Sequence, residues 1–168
     1  MPQSIVRHEH AHLYAAEPRS EAGRELSGAI LDLRRAEKVQ AERSQRISGL
    51  AGVDLTALRY LVQAEREGRK VSPKDLIVML QTSSATVTNV IERLVNRGHV
   101  VREQHPTDRR AQYVRPTEAA RELVEQVYGV HHGAVVGVID GLDEDEARIT
   151  AAVLRRITEA LDDLASRP

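Results

Sequence analysis

Three observations predict a mainly α-helical fold carrying one small β-hairpin. Apolar residues recur at helical spacing through most of the 168 residues. Glycines and capping residues divide that pattern into separate helices. Only one stretch, "GHVVREQHPTDRRAQYVRPT" at 98–117, reads as two short strands around a polar tip.

Residues 1–20 have weak periodicity and two prolines, Pro2 and Pro18, and read as an N-terminal arm. A long helix is predicted over 21–48, with Leu26, Ile30 and Leu33 on one face. Gly49 and Gly52 break it, and a second helix over 55–67 is expected to bury Leu55, Leu58, Leu61 and Val62 before Gly68. Ser72-Pro73-Lys74-Asp75 is a start signal: serine N-cap, proline at the first helical position and a carboxylate three residues after the cap. The helix it opens, 73–80, is short. The chain turns through "QTSS", and Ser83 or Thr82 caps a further helix to Arg97. Gly98 suits the left-handed position just past a helix end. Strands are predicted at 99–103 and 111–115. Pro116-Thr117 then opens a helix to about 139, and Asp143 with Glu146 caps a last helix to about 165. In that helix Ala147, Leu154, Ile157, Leu161 and Leu164 lie close to a heptad seam. A short helix, a tight turn, a longer helix and a two-stranded ribbon make a winged helix-turn-helix.

Composition narrows the function. With 41% hydrophobic and 29% charged residues the chain suits a soluble globular protein. No apolar run is long enough for a membrane span and the N-terminus lacks a signal-peptide core, so no membrane association and a cytoplasmic location are expected. The absence of cysteine excludes disulfides, thiolate metal sites and thiol nucleophiles. A net charge of −1 conceals an asymmetry. Residues 72–115 carry seven Lys and Arg against four carboxylates, whereas 116–168 carry five against eleven. A cationic centre and an anionic C-terminal arm point to a polyanion partner for the centre.

The helix after the turn has the two faces that DNA reading requires. Val87, Val90, Ile91 and Leu94 form an apolar side that holds it rigid. Ser83, Ser84, Thr86, Thr88 and Asn89 supply hydroxyls and an amide for base edges and phosphates, with Arg93 and Arg97 on later turns. A polar first turn is also common in helices of no special function. On the hairpin, Arg109 and Arg110 are placed to reach a minor groove or phosphate, the neighbouring Asp108 stiffening the tip. Alone, such a tip reads as a solvated turn; beside a helix-turn-helix in a cationic block it reads as a DNA contact.

Over about 55–165 the sequence resembles the MarR family of winged-helix regulators. The residues that carry the resemblance are Leu94, Gly98, Val100, Arg102, Pro106, Asp108, Arg109, Arg110 and Thr117. It implies a cytoplasmic, sequence-specific transcriptional regulator of double-stranded DNA, a repressor released by a ligand. It also implies a homodimer on a palindromic operator, with a small-molecule effector bound between the dimerisation and DNA-binding parts. On this reading 55–116 is the DNA-binding domain, and 21–54 with 117–168 form the helical dimerisation region. There are departures: Gln81 stands where glycine is common, Ile77 where a small residue is common, Asn89 where arginine is frequent, Pro116 for leucine and Ala120 for glycine.

Arg59 and Tyr60, with Tyr128 and His131, are the candidate ligand-binding residues, a cation and phenols suited to a carboxylate or phenol-like effector. His8, His10 and His12, and the adjacent His131 and His132, raise a metal-responsive alternative, but without cysteine a set of about four ligands is hard to assemble, and no metal site is expected. A winged-helix module for protein contacts is a further alternative. No enzyme activity and no cofactor are expected: there is no Gly-rich phosphate loop and no Ser/His/Asp arrangement. Gly129, Gly133 and Gly137 recur every four residues, which suggests close approach by another helix.

Overall fold

The computed structural model describes residues 17–104 and 112–166. Arg109, Arg110, His8, His10 and His12 lie outside them. The element order is α1 (Glu21–Ser48), α2 (Gly52–Arg66), α3 (Pro73–Leu80), α4 (Ser84–Asn96), β1 (Val100–Gln104), β2 (Gln112–Pro116), α5 (Glu118–Ile139) and α6 (Glu144–Ala165). The chain divides into two compact units, 1–56 and 57–168.

In the first unit α1 opens on Ser20, whose hydroxyl accepts from the Gly23 N–H at 3.0 Å, and closes on Gly49 at φ 63°. On the predicted apolar face of α1, Leu26 and Leu33 are exposed and Ile30 is half-buried. Helix α2 begins at Gly52 rather than at Leu55. Of the two glycines only Gly49 takes the left-handed conformation, and Gly52 is already helical.

The second unit is built around Ala57, Leu58, Leu61, Val62, Leu76, Val87, Val90, Ile91, Leu94, Val100 and Val114, all buried. Helix α3 carries the predicted capping box. The Ser72 N–H donates to the Asp75 carboxylate at 2.8 Å, and the Asp75 N–H donates to the Ser72 hydroxyl. The Ser72 N–H bond, and then the Ser72 hydroxyl, which also donates to that carboxylate at 2.8 Å, hold the Asp75 carboxyl below the usual carboxylate range. The turn after α3 passes through Gln81 at φ 49°, ψ 46°, the only non-glycine residue among those described with a positive φ. The chain thus keeps a left-handed turn without glycine, at a cost on the order of 1 kcal/mol.

The two strands are antiparallel, with Val100 opposite Pro116 and Glu103 opposite Tyr113. β1 starts one residue later than the sequence suggests, and β2 runs on to Pro116. His99 is still finishing the helix, since its N–H returns to the Leu94 carbonyl at 2.9 Å while Gly98 turns at φ 73°. Val71 adds a single antiparallel bridge to Val114, whose N–H donates to the Val71 carbonyl at 2.8 Å. Helix α6 has the predicted cap, Asp143 and Glu146 exchanging bonds at 3.0 and 2.8 Å, yet buries none of its residues. Among the described residues nothing stands within 4 Å of where a Cβ on Gly133 or Gly137 would sit, so the chain itself does not supply the close helix approach expected there.

Candidate nucleic-acid interface

Helix α4 is anchored by Val87, Val90, Ile91 and Leu94, each at most 3% exposed. Its other side faces outward: Ser84, Thr88, Asn89, Arg93 and Arg97 are exposed. The predicted hydroxyls separate into two groups. Ser83 is the N-cap: its hydroxyl accepts from the Thr86 N–H at 3.2 Å and lies 3.0 Å from the Thr86 hydroxyl. Those two groups spend bonding capacity on starting the helix. Ser84, Thr88 and Asn89 project from the outer face. The Thr88 hydroxyl donates to the Ser84 carbonyl at 2.9 Å, which fixes its rotamer and leaves its lone pairs outward.

The end of α4 is tied to the root of the hairpin. Thr117 caps α5 by accepting from the Ala120 N–H, donates its hydroxyl to the Gly98 carbonyl at 2.8 Å, and donates its backbone N–H to the His99 carbonyl at 2.9 Å. A helical start signal was visible in the sequence at Thr117; its second role as a clasp, nineteen residues from Gly98, was not. His99 beside it has a buried Nδ1 without a hydrogen-bond partner among the described residues. Burial, then the nearby Arg97 charge, holds the His99 imidazole below its usual range.

The candidate effector residues are partly brought together. The Arg59 guanidinium lies 5.6 Å from the centre of the Tyr60 ring and 5.4 Å from that of Tyr128. Cation–π contact of this kind holds all three side chains in one cluster. Burial pushes the Tyr128 phenol upward, and the Arg59 charge partly offsets that. His131 sits one helical turn beyond Tyr128, half-buried. Among the described residues no group of three or more His, Asp or Glu is arranged to hold a metal ion, and no helix is long and apolar enough to cross a membrane.

An eight-residue helix, a left-handed turn, a thirteen-residue helix with an outward polar face and a following antiparallel ribbon define a winged helix-turn-helix protein. Residues 48–111 match the MarR family. It is 33% identical over 73 residues to YkoM of Bacillus subtilis, described as an uncharacterized HTH-type transcriptional regulator, covering 44% of this chain and 47% of YkoM. It is 24% identical over 114 residues to the transcriptional repressor MprA of Escherichia coli, covering 67% of this chain and 65% of MprA. The chain spans about half the length of YkoM and of YwaE, another B. subtilis relative. Among solved structures, MepR of S. aureus in complex with DNA superposes with a TM-score of 0.59 at 19% identity, over 77% of this chain and 94% of that one. MepR bound to ethidium bromide gives 0.63 at 19% identity, over 80% and 95%. These structures share the fold.

Proposed function

We propose that this protein is a dimeric, sequence-specific DNA-binding transcriptional regulator, a repressor that a small molecule releases. The observation that carries the reading is helix α4: four buried apolar residues fix it, and Ser84, Thr88 and Asn89 stand outward on its first two turns. That is the arrangement needed to present hydroxyls and an amide to base edges in a major groove. Arg93, Arg97, Arg109 and Arg110 supply charge for phosphates and the minor groove. Residues 55–116 form the DNA-binding domain, residues 21–54 and 117–168 the dimerisation region, and residues 1–20 an arm. The uncovered apolar side chains of the C-terminal helices support pairing of two copies, among them Val138, Ile139, Ile149, Leu154, Leu161 and Leu164. The Arg59–Tyr60–Tyr128 cluster, with His131 a turn away, supports an anionic or aromatic effector.

Selection of bound duplexes from a random pool tests this reading. The expected product is a palindrome with half-sites about one helical turn apart, bound with an affinity that falls steeply with salt. Replacing Arg109 and Arg110 together with Ala is expected to weaken that binding by about one to two orders of magnitude while the dimer persists. Equal affinity for the palindrome and for random DNA in competition would favour a protein-contact module instead.

A further inference from the structure

The two strands of the hairpin are held in two different ways along their length. At the root, Val100, Val114 and Pro116 are buried, and the Val114–Val71 hydrogen bond and the Thr117 clasp fix the backbone. Beyond the root all of β1 from Val101 to Gln104 is exposed. A crevice of about 210 Å³ lies behind this outer part, lined by Leu61, Glu65, Lys70, Glu103, Tyr113 and Arg115 among others. On the outer part of β2 Tyr113 is half-buried and Gln112 is exposed, so packing against the body constrains the outer strands at few points.

Charges span that gap, and Glu103 joins them. Its carboxylate lies 3.7 Å from the Lys70 ammonium on the α2–α3 connection and 3.7 Å from the Arg115 guanidinium on β2. Arg115 continues to Glu65 of α2 at 4.0 Å. Glu65 receives Arg121 of α5 at 2.7 Å, and Arg121 in turn holds Glu118 at 2.6 Å. Lys70 also lies 5.1 Å from the centre of the Tyr113 ring, which stands opposite Glu103 in the ladder. One exposed pair is worth little, but a chain of pairs shares its ordering cost among members already fixed by their neighbours.

We propose that Glu103 is a positioning residue for DNA binding: it braces the outer hairpin against Lys70 and Arg115 and thereby fixes the angle at which the hairpin meets the duplex. The proposal rests on the DNA-binding reading above and adds to it a residue that touches no DNA. It also explains why a carboxylate stands on the strand of a cationic block, where it repels phosphate.

That repulsion makes the test sharp. By charge alone, Glu103→Gln removes a negative group and releases two cations, so DNA affinity rises and the salt dependence steepens. A brace predicts the opposite sign. On the duplex selected from the random pool, Glu103→Gln is expected to bind roughly three- to tenfold more weakly than the parent, with Glu103→Asp intermediate. On the same duplex trimmed of its flanking base pairs the two proteins are expected to bind alike. In the DNA-free protein, amide exchange at Arg102 to Gln104 and at Gln112 and Tyr113 is expected to quicken in Glu103→Gln, with α4 unchanged. Equal or tighter binding by Glu103→Gln overturns the proposal, and so does unaltered exchange of the strands. If the pool yields no duplex, the DNA-binding reading itself fails, and the exchange measurement still decides the brace.

Discussion

Helices α4 and α6 are both strongly amphipathic, yet α4 buries four apolar side chains and α6 buries none. Helix α4 lies against α3 and β1 of its own chain, so its apolar side is covered as soon as the second unit folds. Helix α6 leaves Ile149 65%, Leu154 46%, Leu161 48% and Leu164 58% exposed. An amphipathic pattern therefore declares that a face must be covered and leaves open which chain covers it. In α4 the answer is local. In α6 it is, on our reading, a second copy.

The largest expected effect tests the uncovered side. Leu154→Glu with Leu161→Glu is expected to raise the dissociation constant of the dimer by about a thousandfold, roughly 4 kcal/mol, measured by sedimentation equilibrium. A protein that stays dimeric would remove α6 from the interface. Leu94→Ala probes the covered side, where the residue is 0% exposed. It is expected to cost about 3 kcal/mol of stability through lost burial and a residual cavity, seen in denaturant melts as a lowered midpoint. A loss below about 1 kcal/mol would mean that the core collapses around the deletion.

A smaller effect of opposite sign is expected at the turn between α3 and α4. Gln81→Gly relieves a side chain held at φ 49° and should stabilise the protein by about 0.5–1 kcal/mol, less the extra entropy that glycine brings to the unfolded chain. Thermal melts of the two proteins decide it, and destabilisation would show that the Gln81 side chain contributes more than the strain costs.

The last expectation concerns pH. The folded-state pKa of His99 is depressed, so the unfolded chain takes up the proton first as pH falls. Its contribution to stability is whole above the unfolded value near 6.5 and declines as pH drops through that value toward the folded pKa. His99→Gln should accordingly flatten the fall in stability between about pH 7 and 5. A variant with an unchanged pH profile would assign that fall to other groups.

Features written in neighbouring residues could be read from the sequence. The caps at Ser72 and Asp143, the left-handed glycine at 98 and the order of all eight elements follow from signals within a few positions of each other, and the cap of α4 was narrowed to Ser83 or Thr82. The outer face of α4 was equally readable, because its inner face is apolar at helical spacing. What escaped were partnerships between distant residues. Nothing local in Glu65 announces Arg121, fifty-six positions away, and nothing in Glu103 announces Lys70. Arg115 counted toward the positive charge of the central block, yet two carboxylates stand beside it. Charge counting along a chain registers sign and number, whereas only folding reveals which charges are already engaged. The division of hydroxyls on α4 escaped for a related reason: Ser83 and Ser84 are identical in type, and only the cap geometry separates them.

The Thr117 clasp has a consequence for how such a molecule can diversify. Because Thr117 grips Gly98 and His99 with two hydrogen bonds, the chain departs from and returns to nearly one point, and the remainder of the unit is stitched shut beneath it. Beyond the buried root residues Val100, Val114 and Pro116, the chain between those grips forms a closed excursion, and lengthening such an excursion is cheap in general, since doubling a flexible loop costs only about 0.6 kcal/mol. Insertions, deletions and changes of tip sequence can accumulate there under selection for a new target while the body beneath stays as it is.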